Sequence, residues 1–163
     1  MRFGALSFGK ESLTVLNLPL LSAVIAWCVA QLIKTIITVI KFHRFDFEQF
    51  WASGGMPSSH SSTVAALSTA CGYTYGFQSG IFAVACVLSL IVMYDAAGVR
   101  RAVGRQAHIL NKITKNLAKR EPVEQSDLRE MIGHTPLQVC VGGLIGIVLG
   151  FLLPYLFGVP YAN

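Results

Sequence analysis

Gly54-Gly55-Met56-Pro57-Ser58-Ser59-His60-Ser61-Ser62 runs without a break into Thr63-Val64-Ala65-Ala66-Leu67. A glycine turn, a proline and a cluster of hydroxyl residues ahead of an apolar run read as the start of a helix. Pro57 is expected in its first turn, where a missing N–H costs nothing. The helix reaches about Phe77 and is rich in Ala, Ser, Thr and Gly. Such a helix gains little from lipid, so it is expected inside a bundle of other helices. Its N-terminus offers unpaired N–H groups and the positive end of a dipole, which suits an anion. The glycines let the backbone approach a ligand closely, and His60 can move a proton near neutral pH. The same residues also describe a plain polar turn before a membrane helix, and the stretch alone does not choose.

The rest of the chain supplies the setting. Of 163 residues, 53% are hydrophobic and 13% charged, with a mean hydropathy of +0.58. Soluble domains carry about 25% charged residues, so the composition reads as a single-domain integral membrane protein spanning 1–163. Met1 to Ser12 lacks an apolar core and no small-residue cleavage site follows the first hydrophobic run, so no cleavable signal is expected. Cys28, Cys71, Cys86 and Cys140 lie in apolar stretches without metal-ligand spacing and read as reduced packing residues. Neither a metal nor a cofactor is called for, and nothing points to nucleic acid.

Four stretches approach the roughly 20 apolar residues a bilayer crossing needs: Val15 to Ile40, Pro57 to Phe77, Gly80 to Val99, and Pro136 to Phe157. The expected fold is therefore all-α, a polytopic membrane helix bundle of about four transmembrane helices. Gly142, Gly146 and Gly150 make a small-residue stripe on the last span. It permits close helix approach within the chain or in a homodimer. Between the last two spans lies a polar insertion, about 100–133, whose Val103, Ala107, Leu110, Ile113 and Leu117 recur at helical spacing. That pattern predicts a basic amphipathic helix at the headgroup surface or over the bundle end. Glu121-Pro122 is expected to stop it, Ser126 to cap a further short helix and Gly133 to end that one.

Lys41 and Arg44 follow the first span, and Arg100, Arg101, Arg105, Lys112, Lys115, Lys119, Arg120 and Arg129 fill the insertion, whereas the opposite side has Arg2 and Lys10. The positive-inside rule puts both basic loops in the cytoplasm. Alternating spans then collect the unusual polar residues at one membrane face. These are Lys34 and Lys41, then Ser58, Ser59 and His60, then Asp95, Arg100 and Arg101, and finally His134 and Gln138. Several cations, two histidines, one carboxylate and two helix N-termini suit a phosphate. Each also has an ordinary reading. Lys34 can snorkel. Asp95 can form a structural ion pair. Thr135-Pro136-Leu137-Gln138 reads as a capping box that explains Gln138 without chemistry. His43 and His108 read as surface residues.

Pro57-Ser58-Ser59-His60, followed downstream by Gly133-His134-Thr135-Pro136 and joined by Tyr94-Asp95-Ala96-Ala97-Gly98-Val99-Arg100-Arg101, resembles the divergent branch of the type-2 phosphatidic acid phosphatase superfamily. The resemblance runs from about Val15 to Leu153. It implies a metal-independent lipid phosphate phosphatase with His134 as nucleophile and His60 as leaving-group acid. Lys34, Ser58, Ser59 and Arg100 or Arg101 would hold the phosphate, and Lys41 stands where the first motif has an arginine. Ser59 replaces a glycine, and Gln138 stands where the superfamily has the aspartate that orients the nucleophile. Asp95 could supply that charge from the third span. The implied partners are the membrane and a phospholipid or polyprenyl phosphate. A protein that binds or moves anionic lipids without turnover is the other reading.

Overall fold

The computed structural model describes residues 17–43, 55–118 and 134–162, by backbone alone at 42, 99–101, 105 and 115–118. Five helices follow in order: α1 (Leu18–Phe42), α2 (Ser59–Tyr75), α3 (Gly80–Ala97), α4 (Val99–Ala118) and α5 (Pro136–Leu156). No strand occurs among the described residues, so the all-α bundle expected from composition is the observed architecture. The helix ends follow local chemistry. The side chains of Asn17, Ser79 and Thr135 cap α1, α3 and α5 by accepting from N–H groups of the first turn. Thr135 and Gln138 form the capping box read from the sequence. His43, which reads as a loop residue, ends α1 in the left-handed conformation.

The start of α2 differs from expectation. Pro57 precedes the helix, after a cis Met56–Pro57 bond. Ser58 is the cap, and the helix begins at Ser59. The Ser58 hydroxyl accepts from the Ser61 N–H (3.3 Å) and the Ser61 hydroxyl (2.9 Å), which a proline ring cannot do.

Three helical stretches are long and apolar enough to cross a membrane: Leu18–Lys41, Gly80–Thr114 and Pro136–Leu156. The sequence count of about four included α2. Its 17 residues rise about 26 Å, and its hydroxyl-rich surface is enclosed by the others, packing against α1, α3 and α5. Polar stitches hold it there. The Ser62 hydroxyl donates to the Ala26 carbonyl of α1 (3.1 Å), the Ser89 hydroxyl of α3 donates to the Val64 carbonyl (2.7 Å), and the Ser58 N–H donates to the Gln138 carbonyl of α5 (3.1 Å). Away from water such bonds satisfy groups that would otherwise be costly.

The core is made of small residues: Ala23, Ala26 and Ala30 of α1, Ala65, Ala66 and Ala70 of α2, and Gly142, Gly146 and Gly150 of α5. Large apolar side chains such as Leu32, Ile40, Val84, Leu90 and Leu144 point outward. That arrangement suits a lipid solvent, where helices associate by close backbone packing. The glycine stripe answers the choice left open by its spacing. A methyl group on Gly142 or Gly146 would run into the Ser58 or Ser62 carbonyl, and one on Gly150 would lie 2.7 Å from Thr69 Cβ. The stripe is filled by α2 of the same chain.

The polar segment forms α4, separated from α3 by Gly98 alone. Ala107 of the expected apolar strip is buried together with Gly104 and Asn111, while Val103, Leu110 and Ile113 of that strip are exposed. The expected stop at Glu121-Pro122, the cap at Ser126 and the terminator at Gly133 lie outside the described residues, as do Arg2, Lys10, Arg44, Lys119, Arg120 and Arg129.

Candidate functional site

Three helix ends and the middle of a fourth helix meet where α2 begins. The His134 N–H donates to the Ala96 carbonyl at the end of α3 (3.1 Å), and the Ser58 N–H donates to Gln138 at the start of α5 (3.1 Å). These two bonds fix the motif before α2, the end of α3 and the start of α5 relative to one another. Gly55, at φ +92°, lies against the stem of Lys34: a Cβ there would sit 3.4 Å from Lys34 Cγ and Cδ. The backbone angle favours glycine, and the contact shows that the turn lies directly over α1. Lys34 is buried and therefore faces the bundle. It does not snorkel.

His134 is the centre of the cluster and only 1% exposed. Its Nδ1 lies 3.3 Å from Gln138 Oε1. The same oxygen accepts the Thr135 N–H at 3.0 Å. That second bond fixes the orientation of the amide, because only its oxygen can accept from a backbone N–H. An oxygen facing Nδ1 then requires Nδ1 to carry the proton of the neutral ring. The lone pair is left on Nε2, which is buried with no hydrogen-bond partner among the described residues. Burial holds the His134 pKa below the ordinary histidine value. The charges of Lys34 and His60 push it the same way, while the bond to Gln138 and the nearby Gly55 backbone pull it up. The unprotonated imidazole with a free Nε2 is the nucleophilic form.

The His60 ring lies across from it, 6.3 Å between centroids and tilted by 58°. The gap is too wide for a direct hydrogen bond between the rings. Ser59 and His60 are the first two residues of α2. First-turn N–H groups point along the axis toward the space before a helix.

The sequence-derived candidates divide accordingly. Lys34, Ser59, His60 and His134 come together. Ser58 is present; its hydroxyl caps the helix as an acceptor and its N–H is taken by Gln138, which leaves the hydroxyl proton as the one donor it could offer a phosphate. Asp95 is half-buried in the last turn of α3. The place that an orienting carboxylate would take, at Nδ1 of His134, is held by Gln138 Oε1. Lys41 lies two turns beyond Lys34, about 10 Å along the axis, and is exposed outside the buried cluster. Arg100 and Arg101 begin α4, four and five residues after Ala96, and their side chains lie outside the described residues. Two participants went unnoticed in the sequence as specific contacts: Gly55, signalled by its place before Met56-Pro57, and the Ala96 carbonyl, which no residue pattern reveals.

A membrane helix bundle with a buried histidine facing a half-buried one at converging helix ends defines the class. The model of the divergent PAP2 family matches residues 15–149, and the chain belongs to that family. It is similar to an uncharacterized membrane protein, YuiD, of Bacillus subtilis (strain 168), with 41% identity over 152 residues covering 86% of this chain and 96% of the relative. No solved structure matches it. Family and apolar helices together make it a phosphatase-related membrane protein.

Proposed function

We propose that this protein hydrolyses the phosphate monoester or pyrophosphate of a membrane lipid through a phosphohistidine on His134. The observation that carries the reading is the His134 ring: buried, bonded at Nδ1 to a pure acceptor, and with no hydrogen-bond partner at Nε2 among the described residues. In the first step the Nε2 lone pair attacks phosphorus, the bond from phosphorus to the lipid oxygen breaks, and His60 gives the leaving oxygen its proton. In the second, His60 takes a proton from water as the water oxygen attacks the phosphohistidine. The P–N bond breaks and inorganic phosphate leaves. Lys34 and the N–H groups of Ser59 and His60 face the charge that develops on the phosphoryl oxygens. Arg100 or Arg101 adds a further cation from the start of α4.

The apolar outer surface supports a substrate with a lipid tail, such as phosphatidic acid, phosphatidylglycerol phosphate or a polyprenyl phosphate. The basic loops support a site at the cytoplasmic face. Purified protein given these lipids is expected to release inorganic phosphate, and His134→Ala and His60→Ala each to abolish it. Full activity in His134→Ala overturns the mechanism. One observation favours the other reading, an anionic-lipid binder without turnover: Gln138 orients His134 but carries no charge to stabilise its cationic intermediate. Lys34-dependent lipid binding with no phosphate release from any of these lipids decides for the binder.

A further inference from the structure

Helix α4 is packed inside out for a helix in water. Its 20 residues bury the small strip Gly104, Ala107 and Asn111 and expose Val103, Ile109, Leu110 and Ile113. At 100° per residue the exposed apolar strip is centred about 125° from the buried one, so it does not meet the bundle. A water-facing helix would show polar residues there. The third side is basic: by register Arg101, Arg105, His108, Lys112 and Lys115 share it, and His108 and Lys112 are exposed. Val99–Ala118 contains no Asp or Glu, so its charge is uniformly positive.

Length places this helix at the membrane surface. The 18 residues of α3 rise about 27 Å, close to the hydrocarbon thickness of about 30 Å. Only Gly98 separates its end from α4, so α4 begins at the interface and stays tethered within reach of it. An apolar strip beside an all-cationic side is the pattern of a helix lying in the headgroup layer. Cations near that layer are attracted by anionic lipids over about a Debye length.

We propose that α4 docks on the anionic headgroup surface of its own membrane, with Val103, Ile109, Leu110 and Ile113 at the acyl boundary and the basic side among lipid phosphates. This surface does not depend on any chemistry at His134. The test uses full-length protein with its native cysteines replaced and a polarity-sensitive fluorophore attached through Leu110→Cys, or through Lys112→Cys as a control. Nanodiscs contain either phosphatidylcholine alone or a mixture with phosphatidylglycerol. With phosphatidylglycerol, the Leu110 probe is expected to shift to the blue and to be quenched by acyl-chain spin labels. High salt, or Lys115→Glu, is expected to reverse both effects, and the Lys112 probe to stay water-exposed. A Leu110 probe as wet as the Lys112 probe in both lipids overturns the proposal. So does one equally buried in both lipids regardless of salt, and so does a shift that grows with two copies per disc without lipid quenching, which marks a second chain as the occupant.

Discussion

Replacing Gln138 with glutamate puts a negative charge where Oε1 now stands, 3.3 Å from His134 Nδ1 and 3.0 Å from the Thr135 nitrogen. The new side chain is almost isosteric and still accepts both hydrogen bonds, so the geometry is kept while the electrostatics change. In the native protein burial is the largest influence on His134, and it favours the neutral ring. An opposite charge at this distance favours the charged form by about 1–3 pKa units, each worth about 1.4 kcal/mol. The pKa therefore rises in Gln138→Glu, and the imidazole keeps its second proton to a higher pH. The lone pair on Nε2 becomes available only above that point, so the acid limb of phosphate release moves upward by the same interval. Nitrogen NMR of the histidine rings in detergent micelles reads both quantities. The native ring should titrate below the ordinary histidine value of about 6.5 with the neutral proton on Nδ1, and the variant about 1–3 units higher than native. A native proton on Nε2, or a midpoint indifferent to the glutamate, refutes the assignment.

Other expectations follow from the same contacts. Lys34→Met keeps the stem that lies against Gly55 but removes a charge-assisted bond worth about 1.5–3 kcal/mol. Affinity for a lipid phosphate should fall about 10- to 100-fold with the melting temperature little changed, and unaltered binding would take Lys34 out of the site. Gly146→Val drives a side chain into the Ser62 carbonyl and to 2.8 Å from Ala65 Cβ, overpacking that costs about 1–3 kcal/mol. Gly80→Ala meets nothing within 4 Å and should melt no lower than the native protein. Thr135→Ala removes the acceptor of the Gln138 N–H and should destabilise by about 1 kcal/mol, seen as earlier thermal unfolding in detergent.

What the sequence made legible was local or compositional. The start of α3 at Gly80 and the Thr135–Gln138 box at the head of α5 could be read because caps depend on residues within one turn. The interior position of α2 followed from its small and hydroxyl side chains, which have little to offer lipid. Properties set by tertiary packing were not legible. Val103, Ala107, Leu110 and Ile113 read as one apolar strip, at the headgroup surface or over the bundle end, yet Ala107 is buried with Gly104 and Asn111 while the other three are exposed. The spacing of Gly142, Gly146 and Gly150 announces a close approach but not to whom, and α2 of the same chain fills it. At the site, the motifs named Lys34, His60 and His134, which the fold brings near one another. They did not reveal that Ser58 caps the helix, or that one oxygen of Gln138 serves both the helix start and the His134 ring. Those facts depend on side-chain reach across a fold.

The central claim is that His134 carries the phosphoryl group. In His60→Asn the second step loses its base, so the covalent intermediate should accumulate. The decisive measurement is mass spectrometry of this variant after brief incubation with a lipid pyrophosphate and an alkaline quench, which spares phosphohistidine. The account predicts an acid-labile phosphate on the peptide containing His134 and none in the His60→Asn, His134→Ala double variant. A variant that turns over or binds the lipid without ever carrying phosphate on His134 contradicts it.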